Sequence, residues 1–569
     1  MNDNRNMILA LVLSALVLLG WSFLSDRFFP TAAPQTQKVE NGTVKPVEQP
    51  SAGPVVQTPP KIRARAQVLG ETPRVQIRTP RLSGSINLKG ARIDDLVLQR
   101  ERQSIGADSP PVRLLSPAGA PDAYFASFGW SGEGAKLPGP DTVWTASAPV
   151  LEPGKPVTLT ASNATGQRFA ITIGVDQDYL FSVQQQVANG GTGAIAVRPY
   201  GLLSRADKSK DATSWTMHVG PLGFLGGSAE YGVDWDTLNG GKSKSVSSNG
   251  GWLGFTDKYW LTALAPAGNA PIAASFRGTP SGGYQADYAA APQVVAPGAT
   301  VTTKTRLFAG AKEKALLDRY EDAGIPKLSK SIDWGWFEWF MRPIADLLNW
   351  LFKVTGNFGV AIICLTFIVR LLMFPIAQKQ FASMAAMRRV QPKIKAMQER
   401  FKNDKQKQQQ EMLKLYQQEK INPAAGCLPI LLQIPVFYAL YKVLMVSVEM
   451  RHQPFALWIK DLSAPDPLTP VNLFGLLDFT PPHFLALGLL PILLGVTMWL
   501  QFKLNPQQMD PAQQAIFAWM PWIMMFVLAP FAAGLVLYWV TSNILTIAQQ
   551  WWLYRRFGLH LSDTHPVKT

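Results

Sequence analysis

The sequence predicts a multidomain membrane protein: a polytopic α-helical bundle of six spans, five of them in a C-terminal core, joined to an all-β sandwich. Three observations predict it. The mean hydropathy of +0.04 averages two unlike halves. Residues from about 350 to 557 are dominated by long apolar runs, and residues from about 60 to 325 alternate polar and apolar side chains between Gly and Pro turns. Basic residues then concentrate in one loop between apolar runs.

Met7 to Leu24 is an apolar run of about eighteen residues, near the minimum for a spanning helix. Only Arg5 precedes it as a positive lead, and Pro34 follows the small residues Thr31-Ala32-Ala33, so a retained anchor over residues 1–29 is favoured over a cleaved signal. Residues 30–60, rich in Pro, Gln, Thr and Val, read as a disordered tether. From 61 to 325, runs such as Arg74–Arg78, Val157–Thr160, Phe169–Ile173 and Thr300–Lys304 read as strands of an antiparallel sandwich, closed by a helix over about Ala311–Asp322. This half holds no cysteine and hence no disulfide framework. Gly241-Lys242-Ser243 resembles the end of a phosphate loop, but Asp236 stands where that loop needs glycine, so the domain reads as a binding or spacing module.

Residues 326–350 carry Trp334, Trp336, Trp339 and Trp350 among apolar residues, which suits an amphipathic helix in the membrane–water interface. The core, 351–557, has apolar runs at Phe358–Ile376, Cys427–Val446 and Phe484–Leu500. A longer stretch, punctuated by Pro530 and Gly534, divides into Ala515–Ala529 and Phe531–Leu553. The loop 377–426 is densely basic and should be cytoplasmic. The loop Ser447–His483 has only Arg451 and Lys460 and should face outward. Arg555 and Arg556 follow the last run, so both termini, including the tail 558–569, lie inside and residues 25–350 outside. The net charge of +15 is therefore partly a topology signal, and no nucleic-acid partner is needed to explain it.

Within the loop, Gln378–Phe401 and Lys405–Ile421 read as two antiparallel helices, with Met384, Met387, Ile394, Met397 and Phe401 as an apolar stripe. The stripe serves equally as a seam between the helices or as an adaptable surface for apolar partners.

Arg370 stands out inside its apolar run. A charge there costs at least about 2.5 kcal/mol unless it meets water or a partner. It lies some six residues from the end of the run, roughly 9 Å inside, so snorkelling to the interface competes with a polar pocket. Thr366, Gln433, Ser542, Asn543 and Thr546 supply polar groups for such a pocket. No acidic residue lies in the runs, so no proton relay or carboxylate cation site is visible, and none of the five histidines sits there to bind a metal. No catalytic residue, metal or cofactor is expected.

Several segments are similar to one known family. Ile362 through Arg370, the hairpin segment Met387 through Ile394, Asn422-Pro423, Gly426-Cys427-Leu428-Pro429 with Gln433-Ile434-Pro435, Pro454 through Ile459, and Gly534 through Trp539 with Ser542-Asn543 resemble the YidC membrane-protein insertases, in the Gram-negative form with a large periplasmic domain. The resemblance covers nearly the whole chain and departs at Ala532, where the family often has proline.

The resemblance implies a non-enzymatic insertase and chaperone of the bacterial inner membrane. It would insert nascent membrane proteins through a hydrophilic groove open to the cytoplasm, alone or with the Sec translocon, and would meet the ribosome and targeting factors at the cytoplasmic face. The implied groove is Arg370, Thr366, Gln433, Tyr538, Trp539, Ser542 and Asn543. The implied slide for the substrate's apolar segment is Ile434, Pro435, Met525 and Val527, and the implied hairpin contacts are Met384, Met387, Arg388, Arg389 and Met397. A small-solute transporter or channel is the alternative.

Overall fold

The computed structural model describes residues 37–40, 43–46, 62–106, 108–211, 217–280, 282–335, 337–379, 390, 393–394, 396–397, 399–401, 404–419, 428–477, 487–504 and 511–556. The predicted anchor, Trp336, Cys427 and the C-terminal tail lie outside these residues.

The chain divides into two units, Met1–Ser51 and Ala52–Thr569. In the first, Gln37–Glu40 pairs antiparallel with Thr43–Pro46. These two strands fall within the stretch expected to be a tether, the rest of which lies outside the described residues.

The second unit opens with a short helix, α1 (Arg65–Gly70), and builds two large sheets. One has nine strands, in the spatial order Ser228–Glu230, Gly220–Leu225, Trp252–Thr256, Trp260–Pro266, Thr300–Ala311, Leu180–Asn189, Gln167–Val175, Val157–Ser162, Thr145–Ala146. The other has eleven and centres on Ile195–Arg205, which pairs with Tyr124–Glu133 on one side and Tyr284–Ala290 on the other. Pairing is antiparallel except where Gln76 and Ile77 meet Val150 and Leu151. Alternation drives this: in Gln167–Val175 every second residue is buried. The buried rows meet across the sandwich, with the Trp130 and Phe169 rings 5.4 Å apart and the Tyr124 and Phe255 rings 6.1 Å apart. A one-turn helix, α2 (Trp235–Leu238), adds Trp235 to the same core.

The closing helix, α3, spans Lys314–Asp322. It starts later than expected because the last strand keeps its ladder to Ala311, opposite Trp260. The aromatic segment divides as well. Trp334 is buried in the core, whereas Trp339 and Trp350 are exposed on α4, which runs Glu338–Thr355 and so begins after 326 and passes 350.

The remaining helices are α5 (Phe358–Leu372), α6 (Lys405–Gln418), α7 (Leu428–Val446), α8 (Leu489–Leu504), α9 (Pro511–Leu528) and α10 (Ala533–Arg556). Among the described residues no helix is long and apolar enough to cross a membrane. At 1.5 Å per residue α5 is only about 22 Å long, and the longest, α10, carries Ser542, Asn543, Gln549, Gln550, Arg555 and Arg556.

The loop after α7 ties the helix ends together. The Asn357 side chain accepts from Val360 N at 3.1 Å and donates to Phe455 O at 2.8 Å, capping α5 and fixing the loop on it. The first amides of α10, Ala533 and Gly534, donate to Ala464 O and Leu462 O at 2.7 and 2.9 Å. Gly359 and Gly534 permit this approach: a Cβ on Gly359 would meet the Phe455 ring at 2.0 Å, and one on Gly534 would meet Leu462 O at 3.2 Å. This loop also docks on the β domain. Glu449 Oε1 accepts from Lys314 N at the start of α3 at 2.9 Å, and Arg451 donates to Arg102 O at 2.6 Å.

Lys312 closes the β domain beside this junction. It is fully buried, and its Nζ donates to Thr256 Oγ1 and Asp257 O at 2.9 and 2.8 Å. Burial pushes its pKa down from 10.5 to about 8. Between those values the unfolded chain binds the proton and the folded chain does not, so stability rises with pH through this window, by about 3 kcal/mol at most for this group. Thermal unfolding of wild type and Lys312→Met between pH 8 and 10.5 checks this: the difference in melting temperature should shift in favour of wild type as pH rises.

Candidate functional site

Arg370 sits in the last turn of α5, which ends at Leu372 before a turn at Met373. The run predicted to reach Ile376 is interrupted there, so Arg370 is closer to the helix end than counted. Its guanidinium reaches across to α10, where Nε donates to Ser542 Oγ at 3.1 Å and Nη2 donates to the same oxygen. Among the described residues no carboxylate pairs with it. The buried arginines of the β domain differ: Arg74 is matched by Asp94, Arg205 by Asp257 and Arg277 by Asp287.

The other expected groove residues gather around α10 and divide over its faces. Tyr538, one turn before Ser542, accepts from Gln433 Nε2 of α7 through its hydroxyl. Trp539 packs on Phe437 of α7 with ring centroids 4.8 Å apart. Asn543 turns to α8, and its Nδ2 donates to Thr497 Oγ1 at 3.2 Å. Thr366 is buried and donates to Ile362 O of its own helix at 2.6 Å, so its hydroxyl is committed to the helix and away from Arg370. Thr546 likewise donates to Ser542 O at 2.7 Å. The structure thus joins Arg370 to Ser542 and Gln433 to Tyr538, with Asn543 on a third face and Thr366 a structural hydroxyl.

Of the expected slide residues, Ile434 on α7 and Val527 on α9 are exposed and Pro435 is half-buried. Met525 differs. It is buried, and a Cβ on Gly495 of α8 would meet its Cβ at 3.4 Å, so it packs between helices. Of the hairpin residues, Met384, Met387, Arg388 and Arg389 lie outside the described residues, and Met397 is half-buried. Lys393 pairs with Glu419 at 2.7 Å, linking the two arms of the basic loop.

Sequence reasoning missed Lys442. It lies in α7, 1% exposed, and its Nζ donates to Asp333 O at 2.7 Å and stands 3.5 Å from Asp333 Oδ2. Asp333 Oδ2 also accepts from His218 N at 3.0 Å, so a lysine of the helical region is bound into the β domain. Its signal was plain: a single lysine inside an apolar run.

The β domain also has an open cleft of about 780 Å³ lined by Tyr124, Arg205, Asp257 and Trp260. Two ion pairs lie in its lining, Arg205 with Asp257 at 3.0 Å and Lys210 with Asp122 at 2.8 Å.

Residues 74–347 match the YidC periplasmic domain, and residues 350–559 match the 60Kd inner membrane protein family. A membrane protein insertase YidC of Zymomonas mobilis is 49% identical over 560 residues, covering 98% of this chain and 96% of that protein. The chain belongs to the YidC family of membrane protein insertases. A YidC of a Methylobacterium species is 44% identical over 605 residues, again covering 98% and 96%. A crystal structure of an active YidC insertase aligns over 84% of this chain and 92% of its own, at 18% identity with a TM-score of 0.37. Membership makes the chain a non-enzymatic membrane protein insertase of the inner membrane with a periplasmic domain, and sets aside the solute-transporter reading.

The neutral pairing of Arg370 has an energetic consequence. Hydrogen bonds to a charged group contribute about 1.5–3 kcal/mol. Ser542→Ala should therefore destabilise the detergent-solubilised protein by about that much, and should do so far less when Arg370 is already Ala. Thermal unfolding of the four proteins of this double-mutant cycle checks it.

Proposed function

We propose that Arg370 is the receiving charge of a hydrophilic groove open to the cytoplasm, through which the polar tail of a nascent membrane protein enters the bilayer. The observation that carries this reading is a half-buried guanidinium whose partner, among the described residues, is a serine hydroxyl and not a carboxylate. Where a charge is structural, as at Arg277, the fold supplies a carboxylate. Where it is left with a neutral partner, it keeps its attraction for an acid arriving from elsewhere. That attraction is about 4 kcal/mol at contact for an effective dielectric near 20.

In this reading α5, α7, α8, α9 and α10 are the five spans of the core, and the N-terminal run is the sixth. Both termini and the basic loop face the cytoplasm, where the hairpin meets the ribosome and targeting factors. Ile434, Pro435 and Val527 guide the client's apolar segment into lipid, alone or beside the Sec translocon. Met525 supports that surface from behind. A groove that reaches part-way across shortens the path a polar tail takes through hydrocarbon, where each unpaired backbone group costs several kcal/mol. No nucleotide-binding motif is needed, because apolar partition and the membrane potential supply the drive.

Insertion of a single-span client with an acidic tail into proteoliposomes tests the role of Arg370. Arg370→Lys should retain much of the insertion, and Arg370→Ala should lower it at least about tenfold, equivalent to about 1.4 kcal/mol. Equal insertion by wild type and Arg370→Ala would refute the direct attraction.

A further inference from the structure

Between α7 and α8 the chain makes an apolar projection. Its tip is a short 3-10 segment, Pro470–Gly475, followed by Leu476 and Leu477. Val471, Leu473, Phe474 and Leu477 are exposed, and Leu476 is 84% exposed. No charged residue occurs from Pro467 to Leu477. An uncharged, contiguous apolar surface of this kind marks an interaction site.

The projection is built rigidly. Phe474 N donates to Thr469 O at 3.0 Å, Leu477 N to Asn472 O at 3.1 Å, and Leu476 N to Leu473 O at 3.3 Å. Val471 N donates to Thr469 Oγ1 at 3.3 Å, and Pro470 has no amide hydrogen. These amides are satisfied within the tip, which lowers the cost of leaving water for hydrocarbon. Leu473 and Phe474 hold left-handed backbone, with φ of 52° and 61°. Bulky residues rarely adopt it, at a cost of order 1–3 kcal/mol each, and here it presents both side chains outward together.

The base is clamped. Buried Asp466 accepts from Trp458 Nε1 at 2.9 Å and Leu468 N at 3.0 Å with one oxygen, and from Leu490 N at 2.7 Å with the other. Leu489 N donates to Leu468 O at 2.9 Å. One carboxylate thus fixes the foot of the tip to the first turn of α8.

We infer that residues 471–477 are a lipid wedge, seated in the outer leaflet at the boundary of headgroups and acyl chains, at a depth that Asp466 sets against α8. This rests on the reading of α8 as a span. Lipid is the occupant because the exposed side chains of the tip are apolar and uncharged, and because its clamp ties it to the start of an apolar helix. The wedge would draw the outer leaflet toward α8 and α9, which have only 16 and 18 residues.

The test uses the full-length protein with Cys364→Ser and Cys427→Ser in proteoliposomes. A bimane label is placed in turn at Leu476→Cys, at Val496→Cys on the exposed face of α8, and at Val294→Cys on the β domain. Brominated phosphatidylcholine should quench the labels at 476 and 496 about twofold or more, and aqueous iodide should quench only the label at 294. Iodide quenching at 476 with lipid quenching at 496 would overturn the wedge and leave the span reading standing. Iodide quenching at both would overturn both. Protection of 476 from both quenchers would assign the tip to a protein partner and also overturn the wedge.

Discussion

A guanidinium held among apolar helices, with no carboxylate beside it among the described residues, is the constraint on which the helical region is organised. Arg370 needs a polar partner, and Ser542 supplies it from α10. That bond fixes the rotation of α10, because Tyr538 and Asn543 follow from Ser542 by helical geometry. With Ser542 turned to α5, Tyr538 one turn away meets Gln433 of α7, and Asn543 turns about 100° further to Thr497 of α8. One helix thereby carries polar links to three neighbours. The hydroxyl accepts from two of the guanidinium's five N–H groups and does not cancel its charge.

At the opposite ends of the same helices the problem is reversed: backbone groups must be closed. The loop after α7 caps α5 through Asn357 and Phe455, and α10 through Leu462 and Ala464. Lys442, Glu449 and Arg451 then bind this end to the β domain. Insertase function fits this asymmetry. One end of the bundle is bolted to a rigid sandwich, and the other presents a charge with a neutral partner.

Much of this was legible in the sequence. Strict alternation placed strands such as Gln167–Val175, and the apolar runs located all five core helices to within a few residues. Arg370 and Ser542 were both visible as polar groups in apolar runs. Their pairing was not, because it depends on the rotation of two helices distant in sequence. The same limit hid Met525, whose burial is set by Gly495 on a facing helix, and Thr366, whose hydroxyl turns back to its own carbonyl. Lys442 was a different failure: its signal stood in the sequence, but a run counted for length conceals a single cation.

The most direct measurement is site-specific photo-cross-linking of a ribosome-stalled nascent membrane protein to the insertase. The cross-linker stands at Gln433, beside the Tyr538 hydroxyl, at exposed Val527, or at Val294 on the β domain. If the groove receives the client, adducts form from Gln433 with the polar tail and from Val527 with the apolar segment, and none forms from Val294. Adducts from Val294, with none from Gln433, would contradict the account.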